Sequence, residues 1–143
     1  MFKTVVFIGL LSATLVMVLT TTGVAEPSYI YAIHDPGGEG NMSSHKGWIV
    51  FTEAIGHNPG DSYGGNYSSW SSQGYGVIVR LNNGYGSDGT IPYQIYYQEF
   101  ADRCARFVQN SSGGVDYWII GNEMNGLREW PGNNDGDPSV GEA

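Results

Sequence analysis

The chain holds one cysteine in 143 residues, so no disulfide can form within it and no framework of bridges can hold its fold. Basic residues are scarce as well: six Lys and Arg stand against fourteen Asp and Glu, a formal net charge of −8. That balance argues against nucleic acid and anionic membranes as partners. The three histidines make no i, i+4 pair and no Cys/His cluster, so the sequence asks for no metal. No G-x-S-x-G elbow is present to raise a nucleophilic serine. No internal repeat is visible, and long apolar runs are absent with one exception.

That exception is Val5–Leu19, which follows Lys3 and Thr4 and leads into Thr20–Ala25, with small residues at Gly23 and Ala25. A charged start, an apolar middle and a small-residue end describe a secretory signal peptide over residues 1–25, cut after Ala25. A retained anchor is the competing reading, but the run is marginal for a membrane span and no basic flank follows it. No cysteine near the cut offers a lipoprotein anchor. The expected mature chain, residues 26–143, is secreted or extracytoplasmic and free of the membrane. Losing Lys3 leaves it more acidic still. The full sequence's twenty-two glycines and ten tyrosines suit a loop-rich surface that meets sugars or other polar ligands.

Short β-rich runs then alternate with loops and helical patterns. Tyr29–Ile33 reads as a first strand that delivers His34 and Asp35 to its carboxyl end. Pro36–Gly40 is a turn, and Ser43–Lys46 is one helical turn at most. Trp48–Phe51 is a second strand, with Thr52 and Glu53 at its end. Ala54–Gly65 is a loop and Tyr67–Gln73 a short, weak helix. Gly76–Leu81 is a third strand, ending on Arg80, Asn82 and Asn83. Pro92 suits the first turn of a helix running to about Gln109, with Tyr96, Phe100, Cys104, Phe107 and Val108 on one face. Cys104 reads there as a small buried apolar residue rather than a nucleophile. Asn110–Gly114 stops the helix, and Tyr117–Ile120 is the fourth strand, apolar on both parities as in a strand buried on both faces.

This alternation predicts an α/β fold with a parallel sheet. Right-handed crossovers put all strand ends on one rim. His34, Asp35, Glu53, Arg80, Asn82, Asn122 and Glu123 should therefore gather around one mouth. A carboxylate pushed by a hydrophobic strand into such a mouth loses hydration, which raises its pKa toward that of a general acid at neutral pH. A solvated loop position for Glu123, with Asn122 capping a following helix, fits the spacing equally well.

The segment Asp116–Asn125, Asp-Tyr-Trp-Ile-Ile-Gly-Asn-Glu-Met-Asn, resembles the end of the fourth strand in retaining (β/α)8-barrel glycoside hydrolases, the cellulase-like superfamily. Residues 74–82, Gly-Tyr-Gly-Val-Ile-Val-Arg-Leu-Asn, and the Tyr97–Val108 helix, with Phe100-Ala-Asp-Arg-Cys-Ala-Arg-Phe-Val, resemble the same clan; together these cover roughly Gly74–Asn125. The resemblance implies a partial TIM barrel of about four parallel strands, truncated after the fourth. It makes Glu123 the general acid/base and Asn122 the residue that binds the sugar 2-hydroxyl. Arg80, Asn82, His34 and Trp48 become substrate-contact candidates, Trp48 by stacking on the sugar face. Retaining hydrolysis needs a second carboxylate about 5–5.5 Å from the first. The clan supplies it from the seventh strand, so residues 26–143 read as the front half of a barrel without its nucleophile. Glu53 and Asp35 are the other rim carboxylates. The competing functional reading is a non-catalytic secreted carbohydrate-binding or surface protein on the same scaffold.

Three further patterns carry less. Gly84-Tyr-Gly-Ser-Asp-Gly89 matches G-x-G-x-x-G, but Thr90-Ile91-Pro92 separates it from the helix, whereas a dinucleotide site carries its third glycine inside the helix. No cofactor is expected. Asn134–Asp137 lacks calcium-loop spacing. Three Asn-x-Ser sequons, at Asn41, Asn66 and Asn110, matter only in a glycosylating host.

Overall fold

The computed structural model describes residues 27–42, 45–123, 125, 126 and 129–132. The expected leader over residues 1–25, Ser43 and Ser44 of the expected helical turn, and residues 134–137 lie outside the described residues. Strands β1 (Ala32–His34), β2 (Trp48–Ala54), β3 (Gly76–Asn82) and β4 (Tyr117–Ile120) form one sheet in the order β1-β2-β3-β4. Each neighbouring pair is parallel. The fold is therefore α/β, with every strand ending on the same edge of the sheet. Two α-helices accompany it, α1 (Ser68–Ser71) and α2 (Tyr97–Asn110). No described helix is long and apolar enough to cross a membrane.

The strands form where the sequence concentrates β-branched and aromatic side chains, and their period of two sorts those side chains between faces. On one face Ile49, Val77, Val79 and Leu81 are wholly buried. Val77, Val79 and Leu81 pack with Phe100, Cys104 and Phe107 of α2, and with Ile55 and Tyr67. Ile49 packs with Met42 and Tyr75 in a second, smaller cluster. Asp116 ties the amino ends of β3 and β4 together: its amide donates to Val77 O at 2.9 Å, and its carboxylate accepts from Val77 N at 2.8 Å.

The core clusters take no strand residue from the opposite face. There the register aligns Val50, Ile78 and Tyr117 in one row and Thr52, Arg80 and Ile119 in the next. Tyr117 and Ile119 remain 47% and 44% exposed. This corrects the expectation that β4 is buried on both faces. Its four residues are the right ones, but the described chain leaves the open side bare and covers the α2 side only at Trp118, with Ile120 still 47% exposed.

Helix α2 also differs from expectation in detail. Tyr93 keeps an extended ψ of 150°, so a 3-10 turn over Gln94–Tyr96 intervenes and the α-helix begins at Tyr97 rather than near Pro92. Phe100, Cys104 and Phe107 face the core as expected, while Tyr96 and Val108 stay exposed. Arg103 takes a buried place instead. Its guanidinium lies over the Tyr63 ring at 4.2 Å and donates to Tyr63 O at 3.3 Å. Its Nε and Nη2 find no hydrogen-bond partner among the described residues. The cation–π contact offsets part of the desolvation this arrangement costs.

Burial pushes the Cys104 thiol up to about 11, and the neighbouring Arg103 pulls it only part of the way back. Thiolate is the reactive form, so native Cys104 is expected to resist alkylation at pH 8 and to react at least about tenfold faster once urea exposes it. Equal rates in both states would contradict its buried placement. The sign for stability follows: a folded-state value above the unfolded one gives a contribution that is complete below about pH 9 and lost as pH rises toward 11.

Candidate functional site at the carboxyl rim

Arg80 is the centre of the rim. It leaves β3 on the open face, level with Thr52 of β2 and Ile119 of β4. Its Nη1 donates to Asn122 Oδ1 at 2.5 Å, just beyond β4. Its Nη2 donates to Thr52 Oγ1 at 2.8 Å and to His34 Nε2 at 2.6 Å. One guanidinium thus ties the exits of all four strands together. Its planar fork suits this, one terminal nitrogen serving Asn122 and the other Thr52 and His34; a lysine's single ammonium has no such fixed pair of donor nitrogens.

The donors fix the state of His34. Nε2 accepts from Arg80, so the imidazole proton sits on Nδ1, where it donates to Asp35 Oδ2 at 3.0 Å. The nearest described acceptors around Arg80 are neutral groups, and its link to a carboxylate runs through this histidine. An Arg80→Lys variant should lose the fork, release His34 Nε2 and let the ring populate both tautomers. Long-range 1H–15N NMR spectra read that directly; an unchanged Nδ1–H signature in the variant would contradict the network.

Several atoms at this edge are held at a cost. Arg80 Nε and Asn82 Oδ1 are buried and without a hydrogen-bond partner among the described residues. Such orphans cost about 1–3 kcal/mol each, and they call for a functional or ligand-related explanation. Asp35 and Glu123, directly after β1 and in the exit of β4, have φ values of +60° and +35°. Left-handed backbone is uncommon outside glycine, and such strain concentrates at functional sites. Asn122 is fixed from behind by Thr90, whose buried hydroxyl lies 3.1 Å from Asn122 O and 3.0 Å from Glu129 O.

The expected mouth is therefore assembled in part. His34, Asp35, Arg80 and Asn122 join one network, Thr52 joins them, and Asn82 lies two residues beyond Arg80. Glu53 is turned to the helix side of β2 and accepts from the Tyr67 hydroxyl at 2.8 Å. Burial, aided by that bond, raises the Tyr67 phenol far above its usual range. Trp48 does not belong at the rim: it opens β2, roughly 13 Å down the strand from Thr52 at about 3.3 Å per residue. Its ring instead lies beside Tyr117 at 5.6 Å. Glu123 also departs from expectation. Its side chain is exposed rather than sunk in a hollow, because no described segment lies over the open face beside it.

Two participants were not singled out from the sequence. Thr90 could not have been, since its role depends on two backbone carbonyls distant in the chain. Tyr85 could have been noticed as an aromatic in the glycine loop after β3. It is exposed, yet it feels the rim: burial raises its phenol most, Arg80 opposes, and Asp35, Glu53 and Glu129 add to the rise.

Among the described residues no three His, Cys, Asp or Glu side chains meet to hold a metal. The motif at Gly84–Gly89 folds into a 3-10 turn over Gly86–Asp88, and α2 starts eight residues after its last glycine. A hollow of about 450 Å3 lies between α2 and the end of β4, but its walls, including Ile91, Phe100, Cys104 and Ile120, are almost wholly apolar. It is a gap in the helix layer, without the polar groups that orient a ligand. No family model, curated protein or solved structure matches this chain.

Proposed function

We propose that the chain is a glycoside hydrolase-like protein, part of a (β/α)8-type barrel, that holds a poly- or oligosaccharide at the carboxyl rim. The observation that carries this reading is the Arg80 network. Four strand exits converge on one guanidinium, with left-handed backbone at Asp35 and Glu123 and with Arg80 Nε and Asn82 Oδ1 buried and unpartnered among the described residues. In an α/β sheet that edge is where ligands bind.

In this reading Asn122, Arg80, Asn82 and His34 receive sugar hydroxyls, with Tyr85 as an exposed aromatic beside them. Glu123 protonates the departing glycosidic oxygen and then, as a base, takes a proton from the water that resolves the intermediate. The open face of the sheet is the inner wall of the barrel. The nucleophilic carboxylate is assigned to none of these four strands. Covering the open face, by further strands or by bound sugar, supplies the desolvation that Glu123 lacks here.

A second reading, a carbohydrate-binding protein without catalysis, draws on that same exposure of Glu123. Titration calorimetry with four-unit cello-, xylo- and manno-oligosaccharides, run beside a reducing-sugar assay, separates the two. Binding with hydrolysis supports the enzyme; binding without hydrolysis, even with an added external nucleophile, supports the second. No binding at all ends both.

A further inference from the structure

Beyond the carboxyl end of β2 the chain keeps pairing with the exit of β3: Ile55 N donates to Asn82 O at 2.8 Å and Gly56 N to Asn83 O at 2.9 Å. This sets His57 against Asn83. The orientation of the Asn83 amide is fixed, because its Nδ2 donates to Asp88 O at 2.7 Å. Its Oδ1 can therefore only accept, and it takes its hydrogen bond from His57 Nδ1 at 2.8 Å. Asn83 is 8% exposed, so the bond is sheltered from water. The imidazole is also held by its face, stacked on Tyr96 at 4.4 Å. With its proton on Nδ1, His57 carries a lone pair on Nε2 in a ring fixed by edge and face.

A hollow of about 310 Å3 borders His57, Asn58, Asn83 and Asp88, and one of about 180 Å3 adjoins the same His57, Asn83 and Asp88 on the Tyr93 and Tyr96 side. Asp88 is exposed, and its carboxylate makes no hydrogen bond to a described residue. The Asn58 side chain is already engaged with Gly60 N and Asp61. The wall is largely apolar, and the acceptors its residues bring are the Nε2 lone pair and the Asp88 oxygens. A ligand must bring donors. A metal would find two side chains, too few for a protein-held ion. A ring bearing several hydroxyls fits both the acceptors and the size, which is at the lower end for ligand pockets.

We propose that this hollow is a second sugar-binding position, taking one pyranose ring whose hydroxyls donate to His57 Nε2 and Asp88. It rests on the carbohydrate reading of the rim and adds a position to it. Asn83 is three residues past Arg80, about 10 Å along an extended chain, on the same edge of the sheet. A latch that merely joined two loops would not require a hollow beside it.

The test is calorimetric titration of the full chain with the three tetrasaccharides, repeated on His57→Ala and Asp88→Asn. Each variant should weaken the best-bound sugar by about tenfold, the effect of one lost hydrogen bond. The His57 ring resonances of the wild-type protein should shift on saturation, which a structural latch would not show. Asp88 is exposed, so Asp88→Asn keeps the test decisive if His57→Ala unfolds. Wild-type affinity in folded variants, with unmoved His57 resonances, overturns this second position and leaves the rim standing. Failure of all three sugars to bind the folded wild-type chain overturns both.

Discussion

With azide as the external nucleophile, Glu123→Gln lowers cleavage of an oligosaccharide by about 10²–10⁴-fold and leaves the melting curve unchanged. That range is the typical contribution of a positioned proton donor. The side chain is exposed and belongs to no core cluster, so the isosteric amide leaves packing undisturbed. An oligosaccharide is the right substrate because its leaving alkoxide needs a proton. Since the nucleophile is assigned to none of the four strands, the assay is run with and without azide. Azide attacks the anomeric carbon, the glycosidic C–O bond breaks, and Glu123 gives its proton to the departing oxygen. Turnover that is equal in wild type and variant under both conditions removes Glu123 from the chemistry.

Phe107→Ala is expected to have the largest effect on stability. Phe107 is 1% exposed, edge-on to Tyr63 at 5.7 Å and to Trp118 at 6.2 Å, with Arg103 over its face at 5.3 Å. It joins α2 to β4 and to the loop before α1 in one contact set. Truncation removes the transfer energy of the ring and leaves a cavity, about 3–5 kcal/mol together. Domains of this size are held by about 5–15 kcal/mol in all, so the variant loses a large share of its stability. Urea unfolding checks this. A loss under about 1 kcal/mol would mean that α2 does not pack on the sheet as described.

Much of this architecture was legible in the sequence because hydrophobic period and strand polarity are local. Tyr117–Ile120 has the same bounds in sequence and structure, and Gly76–Leu81 gained only Asn82. The second strand was placed but cut short at Phe51. Thr52, Glu53 and Ala54 are polar or small, and only pairing with Arg80, Leu81 and Asn82 keeps them in the ladder. The exposure of β4 was not legible, since an apolar run says that a face can be buried, not that a partner covers it. Buried Arg103 broke the helix pattern for a similar reason: the Tyr63 ring that accepts it comes from a loop forty residues earlier.

At the site, strand direction alone brought His34, Asp35, Arg80 and Asn122 together. The same reasoning, applied fully, excludes Trp48, because the residue that opens a parallel strand sits at the edge opposite the site. The pairing of His57 with Asn83 needed more. It depends on the β2–β3 register persisting past the last strand residues, which no spacing in the sequence announces. The strain at Asp35 and Glu123 was equally hidden, since neither residue type signals a left-handed backbone as glycine does.

The most direct measurement is a crystal structure of the chain with a bound tetrasaccharide. Sugar hydroxyls should lie in hydrogen-bond contact with Arg80 and Asn122, and the Glu123 carboxyl about 2.6–3.2 Å from a glycosidic oxygen. A saccharide seated away from the strand exits, with Glu123 still turned to solvent, would contradict this.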